Sequence, residues 1–214
     1  MKKRPDVDTL SSAVFTNASD WTRVHEGGHG VQFYHDDEDL MATLTRYVGS
    51  ALVNGDVSVV IATKPHRLAL DRRLAARGLD VAVPRSAGRY VSLDAHGTLS
   101  KFVVRGVVDE TKCREVVGAV LRRAGSVPAV DGGAARLFAF GEMVALLCAD
   151  GRPDEAVRLE EIWNALAREY AFTLCCAYPM KGFTPRFAAP FMRICAQHSH
   201  VFPASTRPTT SLSA

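Results

Sequence analysis

The chain has 214 residues, of which 47% are hydrophobic and 23% charged, and its formal net charge is +3. This length and composition allow one large or two small globular domains with a sizeable core. The low net charge, part of which comes from Lys2, Lys3 and Arg4, argues against direct binding to nucleic acid, and no apolar run approaches the roughly 20 residues needed to cross a bilayer.

The predicted elements alternate between short apolar strands and longer helical patterns. Apolar runs predict strands at 31–34, 57–62, 90–93, 137–140 and 172–178. Apolar residues that recur at helical spacing predict helices at 40–51, 113–124 and 154–170. Pro65 and Gly78 mark the start and end of another helix, at 65–77, and a short apolar helix is predicted at 142–149. Because such alternation implies right-handed βαβ units, the sequence predicts an α/β fold, a mostly parallel sheet with helices on both faces.

Polar and turn residues mark the first helices in this order. Asp36 and Asp37 follow the first strand and suit the N-cap of a helix. Pro65 suits the first turn of the next helix. The run 57–62 between these helices is apolar without a break, which is typical of a strand covered on both faces.

One domain is predicted, over residues 28–203. Residues 1–27 show no sustained periodicity and 204–214 are mostly Ser, Thr and Pro, so we expect a flexible N-terminal segment and a disordered C-terminal tail. The five cysteines are odd in number, which favours reduced thiols over a disulfide framework. Since the N-terminus also lacks a signal-peptide pattern, the expected location is the cytoplasm.

Five segments with distinctive residues occur in one consistent order: 29–34 (HGVQFY), 141–147 (GEMVALL), 159–164 (LEEIWN), 176–179 (CAYP) and 194–200 (ICAQHSH). As a set, over about 28–203, they resemble the MEDS domain family, whose name stands for methanogen/methylotroph, DcmR sensory domain. The resemblance implies a three-layer RecA-like fold related to KaiC. It also implies a sensory domain that works with histidine kinases or transcriptional regulators, with small hydrocarbon derivatives as proposed stimuli.

A RecA-like nucleotide hydrolase needs a glycine-rich loop after a strand, because the glycines let backbone N–H groups close around the phosphates. Here the strand at the matching place is followed by Thr63, Lys64, Pro65, His66 and Arg67. No glycine occurs between Gly55 and Gly78, and Pro65 lacks a backbone donor. We interpret this segment as a degenerate phosphate loop, and we expect no ATPase activity and no cofactor. A weakly held anion on Lys64 and Arg67 is the alternative to a solvated turn.

The segment from His25 to His29 matches the zincin pattern H-E-x-x-H. That pattern makes a metalloprotease site only on a helix, where both histidines share one face. Gly27 and Gly28 each disfavour a helix by about 1 kcal/mol relative to alanine. We therefore interpret the segment as the lead-in to the first strand.

Two carboxylates are candidate ligand contacts. Glu142 follows the strand at 137–140, at the sheet edge where α/β proteins bind ligands, and the alternative is a carboxylate stabilised by the N-terminus of the next helix. Glu160 lies on the flank of the apolar stripe of the helix at 154–170, so we expect it to be partly buried. A buried carboxylate belongs either to a structural ion pair or to a site.

Aromatic and histidine residues complete the candidate ligand-binding set: His29, Tyr34, Trp163, Tyr178, His198 and His200. Trp163 also fits the apolar stripe of its helix as an ordinary core residue. Cys195, His198 and His200 fit a zinc site if a fourth ligand joins them, and the alternative is two histidines in the last turn of a helix. His29 precedes a strand whereas Glu142 follows one, so a shared pocket is not implied.

The residues and the resemblance together predict a non-catalytic signal-sensing domain. It is expected to bind a small, hydrocarbon-derived ligand and to relay to a histidine kinase or transcriptional regulator. One alternative is a docking module for a separate kinase or regulator that binds nothing small. Another is a metal-dependent enzyme that uses Glu142, Glu160 and the histidines. We expect no nucleic-acid or membrane partner, and a homodimer is a candidate assembly.

Overall fold

The computed structural model describes residues 27–130, 132–182, 188–202 and 204. The strands in these ranges are β1 (His29–Tyr34), β2 (Val57–Ala62), β3 (Tyr90–Asp94), β4 (Val103–Val104), β5 (Val107–Val108), β6 (Leu137–Gly141), β7 (Thr173–Pro179) and β8 (His200–Phe202). The helices are α1 (Asp37–Val53), α2 (Lys64–Ala76), α3 (Ala82–Ser86), α4 (Ala95–Leu99), α5 (Glu110–Gly125), α6 (Met143–Ala149), α7 (Pro153–Tyr170) and α8 (Ala188–Ala196). Apart from Gly27 and Ala204, the expected flexible ends lie outside the described residues, as do His25 and Glu26 of the zincin pattern.

The main sheet has six strands among the described residues, in the order β3-β2-β6-β7-β1-β8. All of its neighbouring strands pair in parallel. The strands β4 and β5 form a separate antiparallel pair. The predicted parallel α/β sheet is confirmed. In this sheet β1, the first described strand, lies between β7 and β8.

Helices cover both faces of this sheet and make a three-layer fold, as predicted. One face packs against α1 and α2 through residues such as Leu44 and Leu70. The other face packs against α5, α6 and α7, whose buried residues include Val117, Leu147 and Leu166. No helix among the described residues combines the length and the apolar character that spanning a membrane requires.

Local sequence accounts for the helix starts. The Asp36 side chain accepts the Asp39 backbone N–H at 3.1 Å and so caps α1. Pro65 lies in the first turn of α2, where its missing N–H costs no hydrogen bond. Gly78 follows α2 with a φ of 84°, a left-handed conformation that glycine adopts without strain. The strand β2 is buried along its whole length, as its unbroken apolar run predicted.

Several short elements were not predicted from the sequence, namely α3, α4, β4, β5 and β8. Each has only two to five residues, too few for a period to show. The alternative that placed His200 in a helical turn is wrong, because α8 ends at Ala196 and His200 begins β8. The Ser199 backbone N–H donates to the His29 carbonyl at 2.8 Å, so the chain joins the sheet instead of continuing the helix.

Candidate functional site

Two neighbouring strands send polar side chains into the interface between the sheet and α7. Because successive side chains of a strand alternate between faces, Leu174, Cys176 and Tyr178 point to the α7 side of β7, whereas Cys175 points to the other layer. His29, the first residue of β1, is paired with Leu174 in the parallel register. A histidine and a cysteine from distant parts of the sequence therefore meet under the same helix.

The helix α7 turns a carboxylate and an amide toward these strands. Glu160 and Asn164 are four residues apart, so they lie on the same side of the helix one turn from each other. Glu160 has 0% exposure, which exceeds the partial burial expected from its position beside the apolar stripe. Since a buried charge is costly unless it is paired or hydrogen-bonded, the neighbours of Glu160 decide what this site is.

Glu160 contacts four other side chains. Its Oε2 lies 3.3 Å from His29 Nε2 and accepts from the Cys176 thiol at 3.2 Å. Its Oε1 accepts from the Tyr178 hydroxyl at 2.7 Å and lies 3.4 Å from His198 Nε2. The ligand atoms of His29, Glu160, Cys176 and His198 all lie within 4.8 Å of one another, and we call these four residues the His–Glu–Cys cluster.

An outer set of hydrogen bonds orients the two imidazole rings. His29 Nδ1 donates to Asn164 Oδ1 at 2.9 Å, and Asn164 Nδ2 donates in turn to the carbonyl and the side-chain Oε1 of Gln197. His198 Nδ1 donates to the Ile194 carbonyl at 2.7 Å. As a result, the Nε2 atom of each ring faces Glu160.

Ser199 attaches the connection between α8 and β8 to the start of β1. The His29 N–H donates to Ser199 Oγ at 3.0 Å, and the Ser199 hydroxyl donates to the His29 carbonyl at 2.9 Å. The adjacent His198 ring lies 4.1 Å from the His29 ring, centroid to centroid. The segment that carries His198 is thus fixed to the residue that its ring faces.

Burial and charge oppose each other at Glu160 but act together on the neighbouring thiol and phenol. Burial alone would raise the pKa of Glu160, but the adjacent His198 and His29 imidazoles hold that pKa well below its usual range. Burial raises the pKa values of the Cys176 thiol and the Tyr178 hydroxyl well above their usual range, and the Glu160 charge adds to both shifts. The site therefore presents an ionised carboxylate beside a neutral thiol and a neutral phenol.

This arrangement can hold a cation or hydrogen-bond a small polar molecule. Imidazole nitrogen, cysteine sulfur and carboxylate oxygen are the three ligand types that proteins use for zinc and related ions. All four side chains of the cluster are withdrawn from solvent, so any species bound here is small or enters when the structure opens.

A second polar group surrounds Glu142 at the carboxyl edge of the sheet. Glu142 Oε2 accepts the Thr63 backbone N–H at 2.8 Å, and Oε1 lies 2.7 Å from His66 Nδ1. His66 Nε2 lies 3.3 Å from Asp37 Oδ1. Burial lowers the pKa of His66, but the Glu142 and Asp37 carboxylates raise that pKa by more. Burial and the same two carboxylates raise the pKa of Tyr34.

The candidate ligand-binding residues thus fall into two groups with different partners. His29, Glu160, Tyr178 and His198 meet at the cluster, and Glu142 lies with Tyr34 at the sheet edge. The other candidates lie elsewhere. Trp163 packs edge-on against Phe172 in the core, with ring centroids 6.0 Å apart. His200 Nδ1 lies 3.0 Å from Ser199 Oγ.

The candidate metal set from the sequence and the cluster of the structure share only His198. Cys195 lies half-buried on α8 beside the core, and the cysteine of the cluster is Cys176 on β7. In the segment after β2, Lys64 and Pro65 are exposed, whereas Arg67 forms an ion pair with Asp94 at 3.3 Å.

Sequence reasoning missed Cys176, Asn164 and Asp37. Two signals were present in the chain: Cys176 and Tyr178 share a strand face, and Asn164 lies one turn from Glu160 on the same helix face. The strand order is what brings these faces to His29, and no local pattern in the sequence encodes it.

Comparisons with known proteins agree with this architecture. A family model described as MEDS, the methanogen/methylotroph, DcmR sensory domain, matches residues 28–194. Among solved structures, a KaiC-like protein from the hyperthermophilic archaeon Pyrococcus horikoshii is similar with a TM-score of 0.53 and 14% identity, over 86% of this chain and 76% of that chain. This likeness supports the three-layer RecA-like fold. No curated protein matches the chain.

Proposed function

This chain belongs to the MEDS family of sensory domains, and we propose that it is a non-catalytic cytoplasmic sensor that binds a small ligand at the His–Glu–Cys cluster. The family gives the sensing role. The observation that carries the ligand site is a carboxylate with 0% exposure, in contact with two imidazoles, a thiol and a phenol. All five cysteines are free, which suits a reducing compartment.

A binding role explains this cluster better than a stabilising role does. Replacing a buried ion pair by well-packed apolar residues is often neutral or even stabilising, so a fold has little reason to keep one for stability alone. Strongly perturbed groups gather at functional sites. Phe33 packs against Tyr178 and Phe191, with ring centroids 6.1 and 4.9 Å apart, so an apolar wall adjoins the polar atoms. Such a wall supports a ligand that joins a polar group to a short hydrocarbon part.

The signal would leave the site through the connection between α8 and β8. His29 belongs to β1, Glu160 to α7 and His198 to that connection, so one ligand touches three separate parts of the chain. A ligand that contacts all three parts favours the docked state, in which the connection is packed against β1 and α7. The shift in population is limited by the difference in affinity between docked and undocked states. A histidine kinase or transcriptional regulator that recognises the docked surface would receive the signal.

We also propose that the chain hydrolyses no nucleotide. The Thr63 N–H, which points out from the start of α2, is occupied by the Glu142 carboxylate. A phosphate at this helix N-terminus would meet a negative charge of the protein itself, and Pro65 supplies no N–H to hold it. Purified protein should therefore show no ATP turnover above a blank. Turnover that disappears in Glu142→Gln would contradict this.

Thermal unfolding with a panel of candidate ligands tests the sensor proposal. The panel contains divalent metal ions and small hydrocarbon derivatives such as short alcohols, acids and halides. At least one class should raise Tm by binding the folded state, and Glu160→Gln should remove that rise. Glu142→Gln is the matched control, because it changes the other buried carboxylate and should keep the rise.

Two outcomes would contradict the proposal. In one, no member of the panel raises Tm, while a kinase co-purifies equally with wild type and with Glu160→Gln, which identifies a docking module. In the other, a ligand raises Tm equally in wild type and Glu160→Gln, which places binding outside the cluster.

A further inference from the structure

Both histidines of the cluster direct their Nε2 atoms at the Glu160 carboxylate. Asn164 Nδ2 donates to two oxygens of Gln197, so Asn164 Oδ1 is the atom that faces His29 and must accept the Nδ1 proton of that ring. The Ile194 carbonyl can only accept, so His198 also carries its proton on Nδ1. Among the described residues, His198 Nε2 is buried and has no hydrogen-bond partner.

The two Nε2 atoms and the carboxylate together suit a divalent cation. Without an ion, one Nε2 proton would balance the Glu160 charge, whereas two protons would leave a net positive charge on rings 4.1 Å apart in the core. One Nε2 lone pair would then stay buried without a donor. A divalent ion bound by two neutral imidazoles, the Glu160 carboxylate and the Cys176 thiolate has no net charge and uses both lone pairs.

Three atoms of the cluster already have the spacing of ligands on one ion. Bonds of about 2.0–2.3 Å to a tetrahedral ion place its ligand atoms roughly 3.3–3.7 Å apart. Glu160 Oε2 lies 3.3 Å from His29 Nε2 and 3.2 Å from Cys176 Sγ, and His29 Nε2 lies 3.3 Å from Cys176 Sγ. The fourth atom, His198 Nε2, lies 3.4 Å from the other Glu160 oxygen, and all four ligand atoms lie within 4.8 Å of one another.

We propose that His29, Glu160, Cys176 and His198 bind one divalent late-transition-metal ion, zinc foremost. This inference rests on the proposed function, because it names the ligand of that site. Imidazole and thiolate favour zinc, cobalt or nickel over the oxygen-seeking magnesium and calcium. The Cys176 thiol proton leaves to solvent when the ion binds.

Three further groups hold the ligands in place. Tyr178 donates to Glu160, Asn164 accepts from His29, and the Ile194 carbonyl accepts from His198. Such outer partners fix the orientation of metal ligands, and their loss lowers metal affinity by about 10–100-fold. They act here as positioning groups.

Cobalt titration of the full chain, stripped with a chelator under reducing conditions, tests the proposal. One equivalent of Co²⁺ should bind and give the visible bands of tetrahedral cobalt and a near-ultraviolet thiolate-to-cobalt band, and Zn²⁺ should displace it. Cys176→Ser should lose the thiolate band, and His198→Gln should weaken binding by more than about 100-fold, since it removes a ligand itself. Asn164→Ala should weaken it by about 10–100-fold.

The chain offers matched controls two or three positions from the second histidine ligand. Cys195→Ser and His200→Gln change the same residue types outside the cluster and should leave both spectrum and affinity unchanged. Circular dichroism before titration confirms that each variant is folded. Should Cys176→Ser fail to fold, the loss of affinity in His198→Gln and Asn164→Ala carries the test.

Three results would overturn the metal site: no stoichiometric Co²⁺ or Zn²⁺ binding by the wild type, bands that persist in Cys176→Ser, or equal binding of Mg²⁺. Failure of the metal proposal can be distinguished from failure of the proposed function. If metal ions do not bind but a hydrocarbon derivative raises Tm in a Glu160-dependent way, the sensor proposal stands and the metal proposal falls. If nothing in the panel binds, both fall.

Discussion

Glu160 keeps its charge in a place that water does not reach. Its two oxygens receive contacts from His29, Cys176, Tyr178 and His198, so the solvation lost on burial is replaced by fixed dipoles and imidazole charge. Removing one partner of such a group leaves the others uncompensated. The stability of the fold without a ligand should therefore be sensitive to this one carboxylate.

We predict that Glu160→Gln lowers the free energy of unfolding by roughly 3–5 kcal/mol, the usual cost of breaking a buried ion pair from one side. Urea unfolding in the presence of a chelator measures this without a contribution from metal. Glu161→Gln is the control, because the neighbouring carboxylate is exposed and its loss should change stability by about 0.5 kcal/mol or less. Equal effects of the two substitutions would show that Glu160 is not held by an ion pair.

His66 should give stability a dependence on pH. The carboxylates of Glu142 and Asp37 raise its folded-state pKa above the unfolded value of about 6.5, although burial opposes them. A raised pKa means that the ion pair contributes fully below about pH 6.5 and that its contribution is lost as pH rises through the folded pKa. The stability that the ion pair contributes therefore falls as the pH rises above about 6.5.

We predict that His66→Gln is less stable than wild type at about pH 6 and that the difference shrinks toward about pH 9. Urea unfolding at a series of pH values measures it. The exposed His96 provides the control, and His96→Gln should follow the wild-type pH profile. A difference between wild type and His66→Gln that stays constant over the whole range would contradict the ion pair.

At the scale of elements, α7 shows what the sequence can and cannot predict. Its apolar spacing correctly predicted the helix and the buried Ile162 and Trp163, and it placed Glu160 at the edge of the buried stripe. The same spacing says nothing about which strand lies under the helix. Full burial of Glu160 follows from Cys176 and Tyr178 beneath it, and their position is set by strand pairing across distant parts of the chain.

The connection between α8 and β8 is the element whose behaviour should respond to a bound ion. It holds His198, and its Ser199 amide pairs with the His29 carbonyl at 2.8 Å. We predict that Zn²⁺ slows amide exchange at 198–202, because the ion joins His198 to residues of β1, α7 and β7. Hydrogen-exchange mass spectrometry measures it.

His198→Gln should remove this protection while His200→Gln keeps it. Protection confined to other segments, or equal in both variants, would mean that the ion does not fasten the connection.

At the scale of the whole molecule, the alternation of strands and helices was enough to predict the three-layer class. The run 57–62 also predicted a strand buried on both faces, and β2 is one. The strand order and the edge position of β8 depend on long-range packing that short windows of sequence do not carry. The two polar groups follow from that order, which is why some of their members could be named as candidates from the sequence but not assigned to one group or the other.

The core should tolerate changes that leave the cluster alone. Trp163 is 1% exposed and packs edge-on with Phe172. We predict that Trp163→Phe lowers the free energy of unfolding, but by less than the loss of about 3–5 kcal/mol expected for truncation to alanine. Cobalt affinity should stay within a factor of about two, since the indole is not a ligand. A large loss of affinity in a folded variant would mean that Trp163 belongs to the binding site.

The attachment of His29 to Ser199 has a consequence for how the molecule is made. These residues are 170 positions apart, and the backbone of one is tied to the hydroxyl of the other. The ribosome releases His29 long before Ser199, so the two can pair only after the whole segment between them has emerged. Closing so long a loop costs chain entropy and slows folding. A chain cut short before His198 would therefore lack the complete cluster.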